Sequence, residues 1–491
     1  MLGASIKDVV TDETNTSGDL STPNFFSTSN IIVAYPSNSN TVGAIEPTYI
    51  HNQLQSVFAN VDLSYSDWAF LTLTGRNDWS SNLSFTPNVS YFYPSAGLSF
   101  ILSRIIHLPE AISFAKVRAS YAQVGNTVPA YLTHVQNTQS GAGQLNFNTE
   151  QSFRTLKPEK TKSWEFGTEW NFFKSRLHLG ITYYKTNTFN QYIPVIPPVA
   201  SLISTGYVNA GNIQNQGIEF IVGGDVIKHP DFKWHTSING SSNQSEIIEV
   251  DPEDGIDRFM LTDGGNSYQS RIQKGGAFGD IYGRTFKRDD QGRIVFSGSG
   301  TTADPYIPLT NDEFGYIGNP TPDFQIGWGN TLSYKNFNLY LLFSGRFGGE
   351  VLSMTQLVTD LYGVSERSGE ARANGGVSVN GVDQNGNPIS KVDAESWYKT
   401  TGGRQGISEA GVHDATVVRL RSLSLGYTFN LENSVFKDLS LAITGRNLFY
   451  IYREAPFDPE ITMSTGNGLS GVELFSYPAI RNVGIKLDVT F

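Results

Sequence analysis

The sequence predicts an all-β, antiparallel transmembrane barrel, and three observations carry that expectation. Strict alternation of apolar and polar residues recurs over stretches of 9 to 13 residues. A globular strand averages roughly 5–6 residues, whereas a tilted strand needs roughly 9–11 to cross a bilayer. The links between these stretches alternate between short and long, the pattern of turns on one rim of an outer-membrane barrel and loops on the other. Only 16% of the residues are charged, well under the roughly 25% usual for soluble domains. No run of 18 apolar residues offers a membrane helix.

Thirteen strands follow in order, near residues 53–65, 68–76, 94–103, 115–124, 163–173, 176–188, 214–226, 232–245, 323–334, 337–347, 417–429, 438–448 and 482–491. In the last, Val483, Ile485, Leu487, Val489 and Phe491 share one face, and Gly484, Lys486, Asp488 and Thr490 share the other. Trp164, Phe166, Trp170 and Phe172 repeat the pattern opposite Glu165, Gly167, Glu169 and Asn171. Phe324, Ile326, Trp328, Leu332 and Tyr334 do so again. Near Arg421–Ser422 the phase flips, which predicts a bulge.

Tight links at Tyr65–Asp67, Phe173–Leu177, Ile227–Asp231, Tyr334–Phe337 and Asn430–Asp438 belong on the periplasmic rim. Long polar links near 77–93, 125–162, 189–213, 246–322, 348–416 and 449–481 belong outside the cell; 104–114 is intermediate. A barrel with both termini in the periplasm ends on an inward strand. Counting back, the 53–65 strand also runs inward, so residues 1–52 are expected as an extracellular segment after a missing strand. Residues 53–491 then form the C-terminal part of a longer barrel. Ile281–Arg288, turning at Asp289–Gly292 into Arg293–Ser297, reads as an extracellular hairpin.

Composition excludes several classes. Without cysteine there is no disulfide scaffold, thiolate metal site or cysteine nucleophile. A formal charge of −11 argues against nucleic acid as a partner. Asp251, Glu253, Asp254 and Asp257 around Gly255 miss the spacing of a calcium loop, and the seven histidines show no ligand spacing. Gly298-Ser299-Gly300 is no nucleophile elbow. The reading is therefore of a non-enzyme without metal or cofactor.

Candidate residues follow from position. Trp79, Tyr91 and Tyr93, near strand ends, fit either an interfacial aromatic girdle or a stacking surface for substrate. Trp397 and Tyr398 lie deep in a long loop, away from any strand end, and fit substrate binding or packing of the loop on itself. The repeated Gly-Arg pairs at Gly75-Arg76, Gly345-Arg346 and Gly445-Arg446 close outward strands, where arginine meets lipid headgroups or pairs locally.

Several strings resemble the SusC/RagA family of TonB-linked outer-membrane transporters, in that family's order. They include Gly75-Arg76-Asn77-Asp78-Trp79, Tyr93-Pro94-Ser95-Ala96-Gly97, Leu156-Lys157-Pro158-Glu159 and Gly318-Asn319-Pro320-Thr321-Pro322. Arg419-Leu420-Arg421, Leu425-Gly426-Tyr427, Gly445-Arg446-Asn447-Leu448 and Tyr477-Pro478 close the series. The resemblance implies a 22-stranded barrel, of which thirteen strands would be present here without the plug. It also implies import of glycans, peptides or related nutrients through the outer membrane of a Gram-negative, Bacteroidota-like bacterium. A SusD-like surface lipoprotein would cover the loops, and TonB would act only through the absent N-terminal region. The acidic run that often precedes Gly-Asn-Pro in the family is reduced here to Asp304, Asp312 and Glu313, against a loop cation site.

A siderophore-type TonB-dependent receptor, a passive porin and a soluble or surface β-rich binding protein are the other readings of the same strands. The aromatic terminus Phe491 resembles a barrel-insertion signal. Deleting Phe491 from the full-length parent is expected to lower its outer-membrane level, read by membrane fractionation; undiminished insertion would refute this role.

Overall fold

The computed structural model describes residues 1–490 except 17–18, 26, 33–44, 134–137, 140–144, 147–155, 196–205, 252–254, 264, 266, 432–435, 437 and 464–469. Its frame is one antiparallel sheet of 14 strands in sequence order. They are β1 Leu2–Thr16, β2 Ile45–Tyr65, β3 Ala69–Ser80, β4 Ser90–Ile101, β5 Ile112–Asn126, β6 Glu159–Phe172 and β7 Leu177–Val195. The remainder are β8 Gly206–Lys228, β9 Phe232–Glu249, β10 Phe324–Tyr334, β11 Phe337–Phe347, β12 Val417–Asn430, β13 Asp438–Arg453 and β14 Asn482–Thr490.

This corrects the expectation for residues 1–52. The outward strand that parity requires before β2 is β1, paired from Leu2↔Ala59 to Thr16↔Ile45. Its apolar phase of Leu2, Ala4, Ile6 and Val10 is interrupted by Asp8 and Asp12, with Glu13 beside them. Fourteen strands therefore stand in place of thirteen, and β1 runs outward. Several strands exceed the length a crossing needs: β8 has 23 residues and β7 has 19. The expected bulge is present, since β12–β13 pairing skips Arg421 between Leu420 and Ser422.

The short rim is built from left-handed turns. Ser66 and Asp67 have φ of 46° and 56°, and Lys335 has 49°, the positive values a two-residue hairpin turn demands. On the long rim Gly348 and Gly349 follow β11 at φ 73° and 78°; a side chain at Gly348 would collide with the Asp323 carboxylate.

The sheet carries its apolar side chains outward. Leu63, Leu73, Phe166, Ile218 and Ile443 lie on that face and are exposed. In water such a face would forfeit about 25 cal/mol for each Å² left uncovered; a bilayer covers it. The large buried clusters sit instead in the loops. Tyr268, Ile281 and Ile317, from the β9–β10 loop, pack with Leu352, Met354 and Leu357 of the β11–β12 loop and Val472 of the β13–β14 loop.

The β13–β14 loop joins the barrel through a charged knot. Arg419 on β12 is 2% exposed and donates to both carboxylate oxygens of Asp458 at 3.0 Å. Its guanidinium also lies 2.8 Å from Glu460, which Arg421 holds at 2.9 Å. Removing one member of a buried ion network leaves uncompensated charge, costing about 3–5 kcal/mol. Arg419→Ala is therefore expected to lower the temperature of the heat-modifiable gel shift markedly, with Arg419→Lys intermediate; an unchanged midpoint in Arg419→Ala would contradict the knot.

Candidate functional site

Paired residues share a face, so the registers trace rows of side chains around the wall. One row runs Ser99, Arg118, Gly167, Thr182, Glu219, Ser241, Gln325, Arg346. The opposite face carries Leu71, Leu98, Ala119, Phe166, Tyr183 and Ile218. The first row is polar and belongs to the lumen. Arg118, Thr182, Glu219, Ser241, Gln325 and Arg346 of this row line a groove of ≈ 900 Å³ that His178 and Asn239 also border. Arg118 Nη2 donates to Thr182 Oγ1 at 2.8 Å across Gly167, where any side chain would collide with the guanidinium. His178 Nδ1 lies 2.8 Å from Asn171 Oδ1 on the same wall.

The candidate aromatics separate. Tyr91 and Tyr93 sit side by side on the lumen face, ring centroids 5.8 Å apart. The Tyr93 hydroxyl donates to Asp78, which also accepts from Arg76 Nε at 2.7 Å; Arg76 Nη2 donates to Ser56 Oγ at 2.8 Å. Trp79 lies on the opposite, outward face and is 40% exposed. The Gly-Arg repeat thus turns its arginines inward: Arg76 shares the face of Thr74, Arg346 that of Ser344, and Arg446 that of Thr444. Of the two readings, this geometry favours local pairing for Arg76, which meets Asp78, because the alternation places glycine, not arginine, on the outer side. Phe491 lies outside the described residues.

Above the lumen, the loops form a cap with helices α1 Met354–Leu361, α2 Glu366–Ala373 and α3 Ala394–Thr401. Side chains of Ser353, Ser365 and Asp393 cap their N-termini. Trp397 and Tyr398 lie on α3 and belong to the cap's interior. Trp397 stacks on Phe286 at 5.5 Å, and Tyr398 is buried with its hydroxyl donating to Arg367 O at 3.2 Å. Tyr398 is buried and Trp397 is half-buried, so both take part in packing the loop on itself.

The Ile281–Ser297 hairpin forms next to its turn, where Val295 N donates to Lys287 O at 2.9 Å and Arg288 bridges Ile294, and opens only farther out. Its turn is present, with Gly292 N donating to Asp289 O at 2.9 Å. Its arms diverge: Ile281–Gly283 pairs with Tyr268–Gln273 and Gly315–Gly318, while Ile294–Ser297 pairs in parallel with Val377–Asp383 of the next loop. Neither arm joins the 14-stranded sheet. Among the described residues no group of three His, Asp or Glu is placed to hold a metal ion.

A family model described as TonB dependent receptor-like, beta-barrel matches residues 8–448. The chain belongs to that family. TonB-dependent receptor P3 of Formosa agariphila is 29% identical over 473 residues, covering 89% of this chain and 46% of the relative. TonB-dependent receptor SusC of Bacteroides thetaiotaomicron is 25% identical, covering 90% and 44%. The structure of the RagAB peptide transporter superposes with a TM-score of 0.72 at 19% identity, over 99% of this chain and 52% of that one. The chain spans about half the length of the relatives it matches.

In this TonB-dependent receptor-like barrel, the Gly-Asn-Pro string has a structural task. Asn319 Nδ2 donates to Asp280 Oδ1 at 2.7 Å, its backbone N–H donates to Glu350 Oε2 at 2.8 Å, and its Oδ1 accepts from Thr321 N–H at 2.8 Å. Asp280 also accepts from Ala277 N–H at 2.9 Å; burial still raises its carboxyl above the usual range. The string could be recognised in the sequence, but its distant partners could not.

His413, in Val412–Asp414 of the cap, packs edge-on to Phe457 at 5.6 Å. Burial, with a smaller push from Arg367, lowers its pKa to about 4. The unfolded chain then binds the proton more readily than the folded cap, so His413 lowers stability as pH falls from about 6.5 towards 4. The effect reaches about 3 kcal/mol. Protease cleavage of the cap is expected to rise over that window and to rise less in His413→Phe; identical profiles would remove His413 as the cause.

Proposed function

We propose that the chain forms the C-terminal wall and extracellular cap of an outer-membrane importer of oligomeric nutrients, glycan or peptide. The observation that carries this is the row of polar side chains along one face of a lipid-compatible sheet, together with three loops folded as one body. A passive pore needs the polar wall but not an interlocked cap, and a soluble binding protein has no use for the apolar outer face. Nothing in this role calls for catalysis or a cofactor. Residues 53–491, with β1 before them, are assigned to the barrel.

Family membership and the likeness to RagAB support two partners. TonB would energise release through a plug region outside this chain, and a surface lipoprotein of the SusD type would sit on the cap. Tyr362 and Val364, each 73% exposed beside α1, offer such a lid apolar contacts.

Disrupting the gene is expected to abolish uptake of one class of labelled oligomer by whole cells. In the parent cells, collapsing the proton-motive force should stop that uptake within minutes. Uptake that survives a protonophore would assign the protein to passive diffusion instead.

A further inference from the structure

Arg258–Asp263, Tyr268–Gln273, Ile281–Gly283 and Gly315–Gly318 form a four-stranded sheet in the β9–β10 loop. Its two faces differ in kind. Tyr268, Ser270 and Ile272 alternate into the cap's interior with Ile281 and Ile317. Register puts Arg258, Met260, Gln269, Arg271, Tyr282 and Tyr316 on the other side, where several line a groove of ≈ 470 Å³.

That side has an unbalanced charge in an acidic protein. Arg271 lies over the Tyr282 ring at 4.8 Å and donates from Nε and Nη2 to Gln269 Oε1 at 3.0 and 2.7 Å. The guanidinium is thereby held flat and oriented. Burial and the positive charge of Arg258 hold its pKa below the ordinary range, while Glu313 only partly offsets them. Among the described residues neither Arg258 nor Arg271 forms an ion pair, although the chain has 46 Asp and Glu against 35 Lys and Arg. Glu313, which lines the same groove, balances only one of the two positive charges, so the groove keeps a net positive charge that an anion would complement.

The aromatic neighbours narrow the class of anion. Tyr282 approaches Tyr316 edge-on, centroids 6.0 Å apart at 78°, and Tyr316 remains 55% exposed. This leaves a ring surface open on the same sheet face, on the far side of Tyr282 from Arg271. A sugar ring that carries an oxyanion satisfies both features at once, through stacking on the tyrosine and charge-assisted hydrogen bonds to arginine.

We propose that this sheet face binds an acidic oligosaccharide, with Arg258 and Arg271 taking its carboxylate or sulfate and Tyr316 stacking on a sugar ring. The site deepens the import reading and rests on it for its purpose, since a cap-borne site would meet the nutrient before the lumen does. Binding itself needs no energised uptake, so the two can fail separately.

The test is calorimetric titration of the full chain in detergent with four probes of equal length. These are oligogalacturonate, a sulfated galactan oligosaccharide, maltotetraose and tetraglutamate. At least one acidic sugar should bind more tightly than maltotetraose, and more weakly as salt is added. Which of the two binds tells carboxylate from sulfate. The R258Q/R271Q double variant, with an unchanged heat-modifiable shift, should lose about tenfold or more in affinity for it. Tyr316→Ala should weaken the acidic sugar while leaving the salt dependence in place. Equal affinity of the double variant and the parent, equal binding of maltotetraose, or no binding at all would overturn the site. Tighter binding of tetraglutamate would overturn the sugar assignment in favour of an acidic peptide. A protein that binds as stated in cells that show no uptake would leave the site standing and sink the import reading.

Discussion

In a bilayer no water is available to a bare peptide group, so every N–H and C=O of a crossing strand must find its partner in a neighbouring strand. That one requirement explains the thirteen consecutive antiparallel pairings of the fourteen strands and their sequential order. It also fixes the register, because slipping one residue would exchange the Leu71–Phe166–Ile218 face with the Arg118–Glu219–Arg346 face. Polar side chains then have only the lumen to occupy, and the groove is a by-product of that sorting.

Because the sheet spends its apolar residues on lipid, the protein has to build its solvent-excluded cores elsewhere. It does so among the loops, where Ile272, Leu352, Leu357 and Val472 are all but fully buried. The cap is thus a small globular body whose elements are contributed by three separate connections. Buried polar groups in it are satisfied locally: Asp360 by Arg367 and Ser365, and Glu473 by Ser353 and Thr355. The barrel and the cap obey opposite rules of sidedness within one chain.

The sequence disclosed the barrel because each crossing strand carries its own alternation, as Val483 to Val489 does. Where that local signal was diluted, it failed. The acidic residues at Asp8, Asp12 and Glu13 hid β1. The cap was less legible because its partners are distant: nothing within Ile294–Ser297 specifies Val377–Asp383 as its neighbour. Trp397 and Tyr398, which the sequence leaves between substrate binding and packing of the loop on itself, are packed by α3 against Phe286 and Arg367. The phase of Thr72, Thr74 and Arg76 already places Arg76 on the inner face, which separates local pairing from lipid contact. The two-sided loop sheet shows the same dyad in Tyr268–Gln273, too short to stand out from the surrounding loop.

The pairing of Ile294–Ser297 with Val377–Asp383, and of Leu352–Ser353 with Val472–Glu473, ties separate loops edge to edge. An insertion or deletion in one of them must therefore be accommodated by strands that belong to the others. Loops on a barrel rim ordinarily drift independently in length and sequence. Here they are heritable only as a set, so a change in what the cap recognises has to arise from substitutions on its exposed faces or from exchange of all three loops together. Diversification of such a protein would consequently proceed by retouching surfaces such as the Arg271 sheet, while the interlocked frame beneath stays constant.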